Sequence, residues 1–191
     1  ISAGIKTEHE ATSNLEALEK LQKGMKVLIR EGSVSKDLMS LYTIINDQTS
    51  PYICFCTDDR NPLDIDEYGH IDFIIRTLIK MGVSPLNAYR SASLSASEAF
   101  GLNDRGIIAP GKKADIVILE NLEECKAKSV ICGGKVVDEK LFSTVKRVDP
   151  IGLNSVKCKT LKKSDFISKD KTQKTNIIGI IEGKIIGKVT L

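Results

Sequence analysis

Four short stretches of this chain carry side chains that could do chemistry, and two of them follow an apolar run. In "TEHE" His9 stands between Glu8 and Glu10, where a carboxylate can hold a neutral imidazole so that its other nitrogen binds a metal. "CTDDR", residues 56–60, follows the apolar run 52–55 with two adjacent carboxylates, Asp58 and Asp59, and an arginine. "REGS", residues 30–33, ends another apolar run, and His70 lies in "YGHID". The residue types suit metal-assisted hydrolysis. A divalent ion brings the pKa of a bound water to about 7, and a neighbouring aspartate can take the proton and later deliver it to a leaving group. Imidazole plus carboxylate suits Zn, Mn or Fe without choosing among them.

Each stretch also has a plainer reading. His9 alone could be an ordinary surface histidine. Asp58 and Asp59 could be a solvated pair, or helix-capping acids balanced by Arg60. His70 could be a first-turn residue packed against a loop. Arg30 to Ser33 reads first as a strand-end ion pair with a glycine turn, and only second as a wall of a substrate pocket shaped by Glu31. Cys54 and Cys56, two apart on a strand pattern, point the same way and read as core. The absence of C-x-x-C excludes the H-x-E with P-C-x-x-C signature of the cytidine-deaminase type of zinc enzyme.

The metal reading gains weight from the elements that position these groups. Ser13 and Glu16 form a capping box opening a helix that carries Leu15, Leu18 and Leu21 and stops at Gly24. "KVLIREGS" is a buried strand followed by a helical pattern of Leu38, Leu41, Tyr42 and Ile45. "YICFCTDDR" is a third strand; a loop runs over 61–68, and a helix from His70 to Met81 places Ile71, Ile74, Ile75, Leu78 and Ile79 on one face. Ser84-Pro85 opens a further helix, and Ser95 with Glu98 caps a short one ending at Gly101. Three strand-helix units in succession require a parallel sheet, since parallel strands need crossovers. In such sheets chemistry gathers at the carboxyl ends of the strands, where "TEHE", "REGS" and "CTDDR" all fall.

Beyond Gly101 the pattern turns to β. "RGIIAPGKKADIVIL" suggests two short strands about a Pro-Gly turn, Gly133-Gly134 in "SVICGGKVVD" signals a two-residue hairpin, and 176–191 reads as a hairpin turning near Gly183. The stretch 138–174 is polar and carries no clear pattern.

The bulk numbers narrow the class. A chain of 191 residues that is 41% hydrophobic can bury a core. Net charge is +3, with acids and bases interleaved and no basic tract with aromatics, so a nucleic-acid partner is not indicated. No apolar run reaches about 18 residues, so membrane spanning is not expected. Five cysteines without a local pairing pattern fit the reducing cytoplasm.

Together, "AGIKTEHEATS", "KVLIREGS", "CFCTDDRNPLD", "GHIDFIIRTLI", "SASEAFGLNDRGIIAPGKKADIVIL" and "VDPIGLNSVK" closely resemble the adenine deaminases of the amidohydrolase superfamily, nearly end to end and in the same order. The resemblance implies an α/β fold. Residues 1–102 would be the last three strand-helix units of a (β/α)8 barrel, 103–140 β-sandwich strands, and 141–191 part of a β-rich C-terminal domain. It implies hydrolysis of adenine to hypoxanthine and ammonia with a divalent metal, two ions of Mn, Fe or Zn, in a homo-oligomeric full-length enzyme. It makes His9 a metal ligand at the end of barrel strand six, and Asp58 the strand-eight aspartate that ligates metal and shuttles protons. Glu10, Glu31, Asp59 and His70 become pocket or supporting residues. The family's H-x-H of strand one, bridging group of strand four and histidine of strand five have no counterpart, and the chain opens at Ile1 without a methionine. The expectation is therefore the C-terminal portion of such an enzyme, inactive alone. An amidohydrolase for an N6-substituted adenine, or a barrel-fold interaction protein without catalysis, are the rival readings.

Overall fold

The computed structural model describes residues 1–143, 145–146, 148–167, 176–179, 182–183 and 187–190. They group into two compact units. The first holds residues 1–137 and those described within 180–185; the second holds those described within 138–179 and 186–191.

The first unit opens on three parallel strands in the order β1 (Thr7–Glu8), β2 (Lys26–Arg30) and β3 (Ile53–Cys56). Helix α1 (Asn14–Gln22) makes the first crossover. Ser13 caps it, its hydroxyl accepting the Glu16 N–H at 3.4 Å, while the Glu16 carboxylate accepts the Thr12 N–H. The residue α1 buries is Ala17, however; of its three leucines only Leu21 packs against the core, while Leu15 is 80% exposed. The second crossover is shorter in helix than its apolar spacing suggests, with α2 (Leu38–Leu41) passing directly into a 3-10 turn at Tyr42–Ile44. Register pairs Val27 with Ile53 and Ile29 with Phe55, so one face is aliphatic and aromatic; Leu28 and Arg30 share the other with Cys54 and Cys56.

After β3 the expected loop over 61–68 is instead a helix, α3 (Pro62–Tyr68). Asn61 accepts the Asp64 N–H at 2.9 Å and Pro62 occupies the first helical position. Because α3 buries no side chain, it lacks the apolar stripe by which periodicity finds a helix. Helix α4 (Ile71–Lys80) buries Ile74, Ile75 and Leu78 as its spacing predicts.

Helices α5 (Pro85–Ala92) and α6 (Leu94–Ala99) follow. Ser95 is not the cap of α6; Ser93 holds that position, and Ser95 sits within the helix with its hydroxyl 2.7 Å from the Ser50 carbonyl. Ser50 begins the 3-10 turn Ser50–Tyr52 that leads into β3, and the helices close around it. Ser91 Oγ also donates to the Ser50 carbonyl, and the Ser50 hydroxyl donates to Asn87 Oδ1 at 3.0 Å and accepts from Arg90 Nη1 at 3.1 Å. Ser50, Asn87, Ser91 and Ser95 are all buried.

An antiparallel sheet of β4 (Ile116–Leu119), β5 (Ala127–Cys132) and β6 (Lys135–Val136) completes the unit. Gly133 and Gly134 have φ of 56° and 80°, as the predicted two-residue turn between twisted strands requires. The strand expected before Pro110 does not form, and β4 is the one strand within 103–120. The second unit contains α7 (Glu139–Ser143), a 3-10 turn at Lys163–Phe166, and an antiparallel pair, β7 (Asn176–Gly179) with β8 (Gly187–Thr190). No helix among the described residues is long and apolar enough to cross a membrane.

Candidate active site

His9, Arg30 and Asp58 come from three separate segments, and the parallel order of β1, β2 and β3 brings all three to one sheet edge. Two residues past β3 the chain reverses. The Arg60 N–H donates to the Thr57 carbonyl at 2.9 Å and Asp58 takes a φ of 43°, a left-handed conformation that Asp tolerates better than most residues. The turn sends the adjacent carboxylates apart. Asp58 Oδ2 accepts from Arg30 Nη1 at 3.2 Å, whereas Asp59 Oδ2 accepts the Val34 N–H at 3.0 Å. Asp59 also lies so close over Gly32 that a Cβ there would be 1.7 Å from its Oδ1. It therefore braces the loop after β2.

Arg30 is the centre of the site and is 1% exposed. Its Nε and Nη2 lie 3.2 and 3.0 Å from Asp37 Oδ2, and its Nη1 reaches Glu10 Oε1 at 3.1 Å as well as Asp58. The strand-end ion pair thus joins Arg30 to Asp37, not to Glu31. Burial opposes the charge on Arg30, but its hydrogen bonds to Asp37 and the negative charges of Glu10 and Asp37 outweigh it and hold its pKa above the ordinary arginine value. Sequence reading passed over this role. Arg30 is the last residue of β2, and its place at this edge was readable from the strand pattern; its partners were not, and no local pattern marks Asp37.

The other residues surround that centre. His9 Nε2 is 3.2 Å from Glu10 Oε1, and the side chains of His9 and Glu10 are 48% and 61% exposed. Glu31 is buried, donates its N–H to the Cys56 carbonyl at 3.0 Å and accepts the Leu38 N–H on its carboxylate. Burial raises its pKa above the usual glutamate value, with the Leu38 N–H pulling the other way. His70 Nε2 is 2.7 Å from Thr57 Oγ1 and precedes α4, so it braces the residue before Asp58. Arg60 balances neither aspartate. Its Nε donates to the Gly69 carbonyl and its guanidinium lies 4.6 Å from the centre of the Phe73 ring. Ser33 donates to Asp64 and accepts from the Asn61 N–H at 2.9 Å, tying the "REGS" loop to the start of α3. Burial pushes the thiols of Cys54 and Cys56 up to about 11 and about 12, consistent with protonated packing groups.

As a metal site this edge fits in part. It offers an imidazole and carboxylates on neighbouring strand ends, with Asp58 39% exposed at its side chain and its Oδ1 without a hydrogen bond among the described residues. No group of three His, Cys, Asp or Glu side chains among the described residues is arranged to hold an ion.

Residues 2–137 match the family model described as "Amidohydrolase family". The chain is 55% identical over 186 residues to adenine deaminase 1 of Agrobacterium fabrum, covering 97% of this chain and 32% of that protein. It is 57% identical over 186 residues to an adenine deaminase of Cereibacter sphaeroides, covering 97% and 33%. The chain therefore spans about a third of the length of these curated relatives. Among solved structures, a β-aspartyl dipeptidase from Fervidobacterium islandicum AW-1 superposes with a TM-score of 0.56 at 14% identity, covering 68% of this chain and 36% of that one. At that identity the likeness concerns the fold.

Proposed function

The chain belongs to the amidohydrolase family, and on that footing we propose that it is the C-terminal part of a metal-dependent adenine deaminase, converting adenine and water to hypoxanthine and ammonia. Two observations combine in this reading: relatives at 55% and 57% identity are named adenine deaminases, and the structure brings an aspartate just past β3 and a histidine just past β1 to the same edge of the sheet, on either side of β2. In this reading residues 1–102 are the closing strand-helix units of a (β/α)8 barrel, 103–140 belong to a β-sandwich, and 141–191 to part of a C-terminal β-rich domain. The full enzyme is cytoplasmic and homo-oligomeric and serves purine metabolism.

His9 and Asp58 would hold divalent metal, Mn, Fe or Zn, in a site of two ions. When bound, the metal supplies Lewis acidity that makes water a nucleophile near neutral pH. The residues of this chain then have separate tasks. Asp58 accepts the proton from the attacking water and passes it to the departing amine. Arg30 keeps that carboxylate in place. Glu10 lies against His9, while Glu31, Asp59 and His70 brace the loops around them.

Ammonia release from adenine by a full-length protein carrying this chain tests the reading. Activity is expected to require added metal and to vanish in a chelator, while the 191-residue chain alone, with too few ligands, is expected to be inactive. A metal-loaded full-length protein that leaves adenine untouched would sink the proposal.

A further inference from the structure

Arg30 ends β2 with its guanidinium enclosed, and carboxylates from three different segments close on it. On one side Asp37, itself buried, receives both Nε and Nη2 on a single oxygen. At the other corner Nη1 is shared by Glu10 Oε1 at 3.1 Å, from the segment after β1, and by Asp58 Oδ2 at 3.2 Å, from the turn after β3. A guanidinium is planar and carries its N–H groups in a fixed fork, so the orientation set by Asp37 dictates where Nη1 points. Glu10 Oε1 in turn lies 3.2 Å from His9 Nε2. One buried nitrogen thus fixes the spacing between the strand ends that carry His9 and Asp58.

Stability alone is a weak reason for such an arrangement. Taking an arginine and an aspartate out of water costs about as much as their attraction returns, and apolar residues of similar volume often do as well. Orientation is what the ion pair supplies and an apolar pair would not.

We propose that Arg30, locked by Asp37, is a positioning residue for the metal site: it holds Asp58 through Oδ2, leaving Oδ1 for metal and proton, and sets the distance from Asp58 to the His9 strand end. The inference rests on the reading of Asp58 as metal ligand and proton carrier. Its consequence is that the geometry of the metal site depends on Asp37, which acts on it through Arg30.

Two variants of the full-length metalloprotein test it. Arg30→Lys keeps a charge opposite Asp37 but cannot span three carboxylates. Arg30→Met combined with Asp37→Leu removes the fork together with its buried counter-ion, so that no charge is stranded. Metal affinity is read by chelator competition, fold by thermal unfolding, and kcat and KM from ammonia release. Folded variants are expected to lose about 10- to 100-fold in metal affinity, as outer-shell partners of metal ligands do. The fall in kcat should be similar, with KM near that of the wild type.

Metal affinity and kcat unchanged in either folded variant would overturn the proposal, as would a change confined to KM. Failure of both variants to fold would assign Arg30 to stability and overturn it equally. Asp58→Asn run alongside separates this failure from that of the underlying reading. A wild type without metal-dependent activity, or an active Asp58→Asn, removes both, whereas a dead Asp58→Asn with intact Arg30 variants removes only the role of Arg30.

Discussion

Replacing either of two adjacent aspartates with asparagine should have opposite kinetic consequences, because the turn at Thr57–Arg60 sends them to different partners. Asp58 makes one bond to Arg30, at 3.2 Å, and its side chain is 39% exposed. An asparagine still offers Arg30 a carbonyl oxygen, and a partly exposed ion pair contributes about 0–1 kcal/mol. At roughly 2–4 °C per kcal/mol for a chain of this size, the melting temperature of Asp58→Asn should fall by no more than about 4 °C. Catalysis should suffer far more, since an amide cannot accept a proton from water. Loss of such a group costs about 10²- to 10⁴-fold in kcat, or roughly 2.7–5.5 kcal/mol of barrier at 1.36 kcal/mol per tenfold. Asp59→Asn keeps an acceptor for the Val34 N–H and should retain kcat while raising KM through the loop after β2. Steady-state ammonia release by full-length protein carrying each substitution, at saturating metal, and thermal unfolding of the 191-residue chain carrying the same substitutions measure both effects. If Asp59→Asn is the inactive variant and Asp58→Asn turns over normally, the assignment of the catalytic acid is wrong.

Gly32→Ala should destabilise the same loop, because the new methyl would lie 1.7 Å from Asp59 Oδ1 and 3.0 Å from the Thr57 carbonyl. Overpacking of this kind costs about 1–3 kcal/mol; combining it with Asp59→Ala should recover part of the loss, and an unshifted melting temperature for the single variant would contradict the geometry. Glu31 gives a pH signature of definite sign. Burial lifts its folded pKa above the ordinary 4.5, so the folded state holds this proton more tightly and stability falls as pH rises through the raised value. Glu31→Gln keeps an acceptor for the Leu38 N–H and should be more stable than the wild type at neutral pH, with the difference closing near pH 4; equal stabilities at both pH values would show that Glu31 carries no burial penalty.

Much of the fold was legible because its signals are local. Alternation and run length located β2 and β3, three strand-helix units implied parallel pairing, and Gly133-Gly134 announced its hairpin. The elements that escaped lack a local signal. Helix α3 has Asn61 and Pro62 to start it but no apolar face, so it read as loop. Ser95 read as a helix cap, since nothing near it in the chain shows that it bonds Ser50. At the candidate site, residue types pointed to His9 and Asp58, and the structure brings both to one sheet edge. The part of Arg30 was hidden because its partners Glu10, Asp37 and Asp58 lie 20, 7 and 28 residues away, and only the folded sheet gathers them.

The buried serines around Ser50 have a consequence for the order in which the protein is made. Strand β3 is four residues long, roughly 13 Å, with Asp58 just beyond one end and Ser50 just before the other. Hydroxyl-to-carbonyl bonds are directional, so the latch at Ser50 sets the register of the strand, and a slip of one residue would turn every β3 side chain to the opposite face. Asn87, Ser91 and Ser95, which close that latch, leave the ribosome some 30 residues after Asp58. Asp58, the proposed catalytic acid, is thus synthesised before the groups that fix its strand exist, and a nascent chain halted between Asp58 and Asn87 would carry that carboxylate without the means to aim it.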